Sequence, residues 1–341
     1  MSYTIRDIAE RAGVSKSTVS RYIKGERNKV SAKTQKVLEQ VIDQLDYRPN
    51  QMAVGLARRQ VPQVGVVMSD IGNPFSSVAM RGIFDACTER NHMVSFVLSN
   101  ASLGRERDGI KNLLSFNIDR LIINTCGGND SFLQELDPTK TVIIDRPLRS
   151  QKFHTVTSDN YESTYSAIQR LQSQGCGSIA FITPDINSVT TRQLRYQGYL
   201  AAIEGKQEAV LLSYSSQEDA YEQFDRLFAS SSCNGAFTVN GEALKVLLRY
   251  TRARGLSIGQ DIGVISFEDW DWMALTTPTI TAVKQDSYEM GYLAATDLLD
   301  GDLAAGALPK LRTICSTLIA RDSDRVGQSN AVSTKTPEKK V

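Results

Sequence analysis

Apolar residues recur every three or four positions through the first part of the chain, the spacing that places side chains on one helix face. They are Ile5, Ile8, Ala9, Ala12, Val14, Val19 and Ile23. Gly13 interrupts the pattern, and Ser15 suits the N-cap of a second helix because its hydroxyl can accept a free backbone N–H. The pattern predicts two short helices joined by a tight turn, with Lys16 and Ser17 in the first turn of the second.

A third amphipathic pattern follows, and it predicts a helix from an N-cap at Ser31 to about Leu45. The predicted buried stripe comprises Val37, Leu38, Val41, Ile42 and Leu45. Pro49 then stops the pattern. The next segment, NQMAVGLARR at 50–59, is too short to be a stable helix alone, so we expect a coil that becomes helical only when docked.

From Val61 the pattern changes to alternating strands and helices. Buried-strand runs occur at Val64–Met68, Val94–Leu98, Leu121–Asn124, Val142–Asp145, Ile179–Thr183, Gly235–Val239 and Gly263–Phe267. Helical stretches lie at about 75–91, 105–117, 161–175, 193–204, 218–230, 241–254 and 287–300. This alternation predicts parallel, doubly wound sheets with ligands at the carboxyl ends of the strands, and the length suits two lobes around a cleft. Residues 326–341 are polar and aperiodic, which predicts a disordered tail.

Charge is distributed unevenly along the chain, although its total of 39 basic and 38 acidic residues is nearly balanced. Residues 1–60 hold twelve basic and six acidic residues, and the rest of the chain holds 27 and 32. A cationic end on an anionic body suits a protein that binds polyphosphate with that end alone. A solvated helix face without a partner is the alternative explanation of this charge. Because the positive charge coincides with the helix-turn-helix pattern, DNA binding is favoured.

Several classes of protein lack support in the sequence. The longest apolar runs are far too short to span a membrane, and the charged N-terminus does not resemble a signal peptide, so we expect a cytoplasmic protein associated with the nucleoid. A secreted solute-binding protein would instead begin with a signal peptide. The five cysteines are scattered without metal-ligand spacing, so we expect reduced thiols and neither a metal nor a cofactor.

An enzyme is the remaining alternative, because doubly wound sheets also host sugar kinases and dehydrogenases. The sequence contains no GxxxxGK[ST] phosphate loop, no GxSxG nucleophile elbow and no HExxH zinc motif. We therefore expect no catalytic residues. A sugar-binding α/β protein or a sugar kinase without DNA function is the alternative interpretation.

The order of parts resembles the lactose-repressor (LacI/GalR) family of bacterial transcription factors over residues 3–322. The resemblance rests on motifs that include DIAERAGVSKSTVSRYIKG (7–25), GLARR (55–59), VGVVMSDIGNPF (64–75), VIIDRP (142–147), RYQGYLAAI (195–203) and DIGVISFEDWD (261–271). It implies a homodimer whose two heads bind a pseudo-palindromic double-stranded operator. It also implies a body that senses a small sugar-derived effector and modulates transcription of a carbohydrate catabolic operon, most often as a repressor.

The resemblance also implies a division into domains. We expect a small all-α helix-turn-helix head at 1–47 and a hinge helix or linker at 48–60. An α/β periplasmic-binding-protein-like body of two doubly wound parallel-sheet lobes is expected at 61–322. Lobe one would comprise about 61–158 and 287–316, and lobe two about 159–286 and 317–322.

By the same resemblance, Lys16 and Ser17 occupy positions that select the operator, and Arg21 matches a base-contacting position. Lysine can donate to guanine and serine to either base of a pair, so the chemistry permits this role. Phosphate contacts that position the head without specifying sequence are expected at Thr4, Ser15, Ser20 and Asn28. Asn50 and Leu56 complete the set, and Leu56 matches a leucine that relatives wedge into the minor groove.

The effector cleft of the family corresponds to polar residues at strand ends or helix starts, with one aromatic residue. They are Phe75, Asn100, Asp145, Arg195, Asn240, Glu268 and Gln285. Arg146, and Arg192 one helical turn before Arg195, add positive charge, which favours an anionic ligand. FEDWDW at 267–272 resembles members that control uronate and ketogluconate catabolism. A sugar acid such as a gluconate or 2-keto-3-deoxygluconate is therefore expected, with a sugar phosphate as the alternative. If Arg146 pairs with Glu268 or Asp269 instead, a neutral sugar would suffice.

The hinge resemblance generates a test. Leu56→Ala is expected to weaken operator binding while fold and effector affinity stay unchanged, because the wedge acts only on DNA. Hydrogen exchange of residues 50–57 should slow on operator binding as the segment becomes helical. Exchange that operator DNA leaves unchanged would contradict this coupled folding.

Overall fold

The structure is a computed structural model that describes residues 4–23, 27–45, 62–187, 189–230, 233–301, 303 and 308–327. The chain divides into two compact units, Met1–Pro62 and Gln63–Val341, and each is described by itself. The predicted hinge at 48–60 lies outside the described residues, as does the predicted tail beyond residue 327. Among the described residues, no helix is both long enough and apolar enough to cross a membrane.

The first unit contains three helices, α1 (Ile5–Ala12), α2 (Lys16–Ile23) and α3 (Ala32–Gln44), with a 3₁₀ turn at Arg27–Lys29. Thr4 and Asp7 form a capping box at the start of α1, and Gly13 ends it in the left-handed conformation at φ 64°. The Ser31 hydroxyl accepts the Thr34 amide 3.2 Å away at the start of α3. The predicted helix-turn-helix and third helix are confirmed.

Apolar side chains from all three helices form the core of this unit. Ile8, Val19 and Leu38 are fully buried, one from each helix, and the other predicted apolar residues of α1 and α2 pack around them. Val37 was expected in the buried stripe of α3, and this expectation was wrong because 37% of its surface is exposed. The stripe instead follows Leu38, Val41, Ile42 and Leu45.

The second unit contains twelve strands in the part that the structure describes. They are β1 (Gln63–Met68), β2 (Met93–Leu98), β3 (Arg120–Ile123), β4 (Thr141–Ile144), β5 (His154–Ser158), β6 (Ile179–Pro184), β7 (Val210–Tyr214), β8 (Gly235–Thr238), β9 (Gly263–Phe267), β10 (Thr281–Lys284), β11 (Leu311–Ile314) and β12 (Thr317–Ile319). They form two six-stranded sheets with the orders β11-β5-β4-β3-β1-β2 and β12-β10-β9-β8-β6-β7. All pairs are parallel except the edge pair β10 and β12.

Helices cover these sheets and connect most of the consecutive strands, as expected for doubly wound lobes. They are α4 (Pro74–Glu89), α5 (Leu103–Ser115), α6 (Asp130–Leu133), α7 (Asn160–Ser173), α8 (Thr190–Ile203), α9 (Gln217–Ser230), α10 (Gly241–Arg254) and α11 (Ser287–Leu299). The chain passes between the lobes after β5, after β10 and between β11 and β12. The predicted fold class is confirmed.

The predicted strands are all present, but five further strands were missed. The strand β5 reads HTVTS, so its one large apolar residue gives no hydrophobic run, although the whole strand is buried. The short strands β10, β11 and β12 have three or four residues each. The strand β7 was missed because its apolar residues lie close to the neighbouring helical patterns. The predicted helices are confirmed with ends that shift by up to three residues.

Close contact of two helix backbones holds lobe one together. Helices α4 and α11 cross at Gly82 and Gly291, and neither glycine leaves room for a side chain. A Cβ at Gly291 would overlap the carbonyl oxygen of Ala79, and one at Gly82 would overlap that of Tyr288. Backbone atoms cannot yield as a flexible side chain can, so the crossing depends on these two glycines.

Gly291→Ala is therefore expected to lower the free energy of unfolding of the body by about 1 to 3 kcal/mol, as overpacking does. Gly104→Ala is the matched control. Gly104 lies in helix α5 with open space around its Cα, so alanine there should be neutral or stabilise by up to about 1 kcal/mol. Denaturant unfolding measures both, and equal effects of the two variants would contradict the packing argument.

Candidate functional site

Helix α2 presents a polar surface whose first turn is fixed by Ser15. The Ser15 hydroxyl accepts the Thr18 amide at 3.2 Å and lies 2.7 Å from the Ser17 hydroxyl oxygen. The side chains of Lys16, Ser17 and Arg21 are exposed, while Val19 anchors the opposite face. The helix is therefore oriented with its basic and hydroxyl groups toward solvent, as a helix that enters the major groove requires.

The remaining predicted DNA contacts lie around this surface or outside the described residues. Thr4 and Asn28 are exposed, and Ser20 is half-buried. The Thr4 hydroxyl is already engaged with Asp7 in the capping box. A phosphate contact of Thr4 would therefore lie at the start of α1. Asn50 and Leu56 lie outside the described residues.

The second unit contains a cavity of about 390 Å³ at the carboxyl ends of the strands, between the lobes. Six of the predicted effector residues line it. They are Phe75, Asp145, Arg146, Arg195, Asn240 and Glu268. Phe75 enters the wall because Asn73 caps helix α4 and accepts the Phe75 amide at 2.8 Å. The cavity is thus lined by both lobes, with one aromatic ring among charged and amide groups.

Asp145 lies directly after β4, with a positive φ of 67° that is uncommon for a residue with a side chain. The Asp145 amide donates to the Val156 carbonyl, and the Asp145 carbonyl accepts the Thr157 hydroxyl at 2.7 Å, so the neighbouring strand β5 holds this conformation. Its Oδ2 accepts Asn124 Nδ2 at 3.3 Å and lies 3.4 Å from Nε of Arg146. The carboxylate is therefore fixed at the cavity wall.

Arg195 lies on helix α8 and is 4% exposed. Its Nε donates to Oδ1 of Asn160 at 2.8 Å, and its Nη1 donates to the Val239 carbonyl at 2.6 Å. The guanidinium stacks over the Phe267 ring, 3.5 Å from the ring centre. Burial lowers the pKa of Arg195 to about 10, and the same cause lowers the pKa of Arg192 to about 10.

Glu268 lies directly after β9, and it also has a positive φ, 71°. One carboxylate oxygen accepts Nδ2 of Asn73 at 3.2 Å, and the other accepts the Gly241 amide at 3.2 Å. Burial raises the pKa of Glu268, and the nearby Arg195 opposes this rise. Because Asn73 belongs to lobe one, this carboxylate joins the two lobes at the cavity.

Two predicted effector residues lie outside the cavity lining. Asn100 is exposed at a positive φ of 48°, and its neighbour Ala101 lines the wall instead. Gln285 is buried in the crossing between the lobes, where its Oε1 accepts the Ser158 hydroxyl at 2.7 Å. The effector role of these two residues stays a prediction that this geometry does not support.

The alternative partners of Arg146 are also resolved. Asp269 pairs with Arg321 at 2.7 Å, and Glu268 accepts bonds from lobe-one and lobe-two amides as described. The ion pair of Arg146 is with its own neighbour Asp145, and its Nη1 donates to the Thr125 carbonyl at 2.7 Å. Arg146 thus remains in the cavity wall.

Several polar residues of the site were not predicted from the sequence, and three of them are asparagines. Asn73 and Asn124 line the cavity, and Asn160 positions Arg195. Asn124 follows the strand β3 as Asp145 follows β4, so the rule that polar residues at strand ends point to a site would have found it. Asn73 gave a weaker signal, because an asparagine before a proline also reads as an ordinary helix cap.

Comparisons with known proteins agree with this two-part organisation. Residues 4–50 match the family described as bacterial regulatory proteins, lacI family, and residues 168–323 match the periplasmic binding protein-like domain. The chain is 35% identical to the HTH-type transcriptional regulator PtxS of Pseudomonas aeruginosa over 302 residues, which cover 87% of this chain and 88% of that protein. This chain belongs to the LacI family. It is therefore a DNA-binding transcriptional regulator and not an enzyme.

Further relatives and structures extend the similarity over the whole chain. The HTH-type transcriptional regulator KdgR of Bacillus subtilis is 33% identical, with 89% of this chain and 93% of that protein covered. The Lac repressor dimer bound to operator and an anti-inducer superposes with a TM-score of 0.80 at 23% identity, covering 96% of this chain and all of that one. A CelR–cellobiose complex superposes with a TM-score of 0.67 at 24% identity, covering 94% and 99% of the two chains. At these identities the two structures show the shared fold.

The exposed face of α2 generates a test of base recognition. Lys16→Ala is expected to change the preference for one base pair of the operator by about 1 to 3 kcal/mol, the value of one base contact. Lys36→Ala, exposed on α3, removes the same charge and should leave base preference unchanged. Titration of both variants with single-substituted operator duplexes measures this. A uniform loss over all duplexes for Lys16→Ala would assign Lys16 to phosphate.

Proposed function

We propose that this LacI-family regulator is a cytoplasmic, nucleoid-associated repressor of a carbohydrate catabolic operon whose effector is a sugar acid, such as a gluconate or 2-keto-3-deoxygluconate. As a homodimer it would place one head on each half-site of a pseudo-palindromic operator, because a single head cannot span both half-sites. The observation that carries the effector proposal is the group of three guanidiniums, of Arg146, Arg192 and Arg195, in the wall of one cavity.

These arginines are close enough to affect one another. The positive charges of Arg146 and Arg192 lower the pKa of Arg195, after the larger effect of burial. A carboxylate bound among them would offset both effects, because it supplies the opposite charge in a site with little water. Arginine also binds carboxylates through two parallel N–H donors, which a neutral sugar cannot match.

The hydrogen bonds of the three side chains also favour an anion. Nη1 of Arg146, Arg192 and Arg195 donates to the carbonyl oxygens of Thr125, Asp185 and Val239. A carbonyl acceptor fixes the orientation of a guanidinium without supplying a full negative charge. Each side chain is thus held in place, as a preorganised anion site requires.

The cavity wall also contains four acidic residues, Asp70, Asp145, Glu242 and Glu268, and each of them accepts hydrogen bonds from donors of the protein. Asp145 accepts Asn124 and pairs with Arg146, and Glu268 accepts Asn73 and Gly241. They can still accept ligand hydroxyl groups through remaining lone pairs, because each carboxylate oxygen accepts more than one bond. Together with Asn240, they would hold the polyhydroxylated part of a sugar acid while the arginines hold its carboxylate.

Calorimetric titration of the full chain with gluconate, 2-keto-3-deoxygluconate, glucose and glucose 6-phosphate tests this. Sugar acids are expected to bind, and Arg195→Ala should weaken them by about 1.5 to 3 kcal/mol, the range for a hydrogen bond to a charged group. Because Arg195 also packs on Phe267, Arg146→Gln serves as a second variant. Arg120→Gln, exposed at the start of β3, is the control and should bind normally.

Binding of glucose alone would show that the effector is a neutral sugar, and binding of glucose 6-phosphate alone would assign the arginines to a phosphate. A sugar acid that binds both arginine variants as tightly as the unchanged chain would remove these residues from the site. A shift assay on the promoter DNA of this regulator, with and without the bound compound, then shows whether the effector releases the operator.

A further inference from the structure

A buried carboxylate lies behind the wall of the cavity of about 390 Å³ between the lobes, the ligand cavity. It belongs to Glu106 on helix α5, which is fully buried, although glutamate is rarely buried without a partner. Its oxygens accept the Thr125 hydroxyl, the Cys126 amide and the Asn129 side-chain amide at 2.6 to 3.0 Å. These donors are neutral, so they satisfy the carboxylate without cancelling its charge.

One peptide group connects this carboxylate to the cavity. The Thr125 carbonyl and the Cys126 amide belong to the same trans peptide, in which C=O and N–H point in opposite directions. On one side, the N–H donates to Oε2 of Glu106 at 2.6 Å. On the other side, the C=O accepts Nη1 of Arg146 at 2.7 Å. The peptide therefore lies between the buried carboxylate and a guanidinium of the cavity wall.

Hydrogen bonds at the two ends of a peptide strengthen each other, because each polarises the group. A negative charge at the N–H makes the carbonyl oxygen a better acceptor for Arg146. Both charges act on the Cys126 side chain, which lines the cavity. Burial raises the pKa of the Cys126 thiol to about 12, the charge of Glu106 adds to the rise, and the charge of Arg146 opposes it. The thiol therefore stays neutral between the two charged groups.

The guanidinium of Arg146 is held at two points, and both depend on the end of β3. Asn124 donates to Oδ2 of Asp145 at 3.3 Å, and Nε of Arg146 lies 3.4 Å from that same oxygen. The Thr125 carbonyl provides the second point, and Glu106 holds its peptide from behind. If the second point weakened, the guanidinium could turn about the first and lose its orientation toward a ligand.

We propose that Glu106 is a positioning residue of the effector site, which holds Arg146 in its binding orientation through the peptide between Thr125 and Cys126. This inference rests on the proposed function, because that function gives Arg146 its role toward the carboxylate of a sugar acid. It adds a residue outside the cavity lining on which the affinity for that carboxylate depends.

A double-mutant cycle with gluconate tests the link. Glu106→Gln keeps the shape of the side chain and removes its charge. By calorimetric titration of the full chain, it is expected to weaken gluconate about fivefold or more, within the range of coupling in one hydrogen-bond network. In the Arg146→Gln background the same change should weaken gluconate by less than about twofold, because its target is gone. Asp108→Asn removes one acidic charge from an exposed position of α5 and is the control, with gluconate affinity unchanged.

A purely structural role of Glu106 would weaken gluconate equally in both backgrounds, and this result overturns the proposal. An unchanged affinity of Glu106→Gln overturns it as well. If gluconate itself does not bind, the cycle is measured with 2-keto-3-deoxygluconate.

The amide proton resonance of Cys126 provides a measurement that needs neither an effector nor a change at Glu106. Arg146→Gln removes the charge from the carbonyl side of the peptide, so the amide should donate less strongly and its resonance should move upfield. Arg120→Gln, at the opposite end of β3, is the control and should leave the resonance in place. A resonance that Arg146→Gln does not move overturns the proposal, even if Glu106→Gln fails to fold.

The positioning role and the proposed function fail in different ways. If a sugar acid binds and the losses from the two substitutions are additive, the sugar-acid effector stands and the role of Glu106 is overturned. If neither sugar acid binds, the proposed effector is wrong and the effector role of Glu106 is overturned with it. A loss that depends on Arg146, together with a shifted Cys126 resonance, supports both.

Discussion

The ligand cavity depends on the burial of one cation. The Arg195 guanidinium is almost inaccessible to water and stacks on an aromatic ring, an arrangement that would be costly without compensation. Its bonds to Asn160 and the Val239 carbonyl orient it, and Asp145 and Glu268 favour its charged form. The carboxylates at the ends of β4 and β9 are therefore as much partners of this cation as candidate ligand contacts.

The same site joins the two lobes. Asn73 belongs to the first lobe and Glu268 to the second, and their hydrogen bond crosses the cleft beside the cavity. A ligand between the lobes would compete with or reinforce such bonds, so its affinity would depend on how far apart the lobes are. Only that difference in affinity can shift the equilibrium between the two forms. A bond that both bridges the cleft and faces the ligand is a direct route for this coupling.

The sequence predicted the fold class and most of the cavity, for identifiable reasons. The strands with continuous apolar runs and the helices with clear caps were found. The residues that follow β4 and β9 lie in the cavity wall, and their role toward an effector stays a prediction. The strand β5 was missed because its burial comes from threonines between neighbouring strands, which hydropathy does not register. Gln285 lies outside this cavity lining, in a segment that crosses between the lobes, and sequence spacing alone does not distinguish such a segment from the cavity wall.

The left-handed backbone of Asp145 limits how this regulator can change in evolution. Only glycine, asparagine and aspartate adopt that conformation readily, so most substitutions at this position would strain the end of β4 before they altered ligand contact. Exchange between aspartate and asparagine is the change that preserves the backbone, and it alters the charge of the wall while keeping its shape. One substitution in such a cavity can therefore switch the preferred ligand charge. A change in the preferred ligand size requires substitutions at other positions.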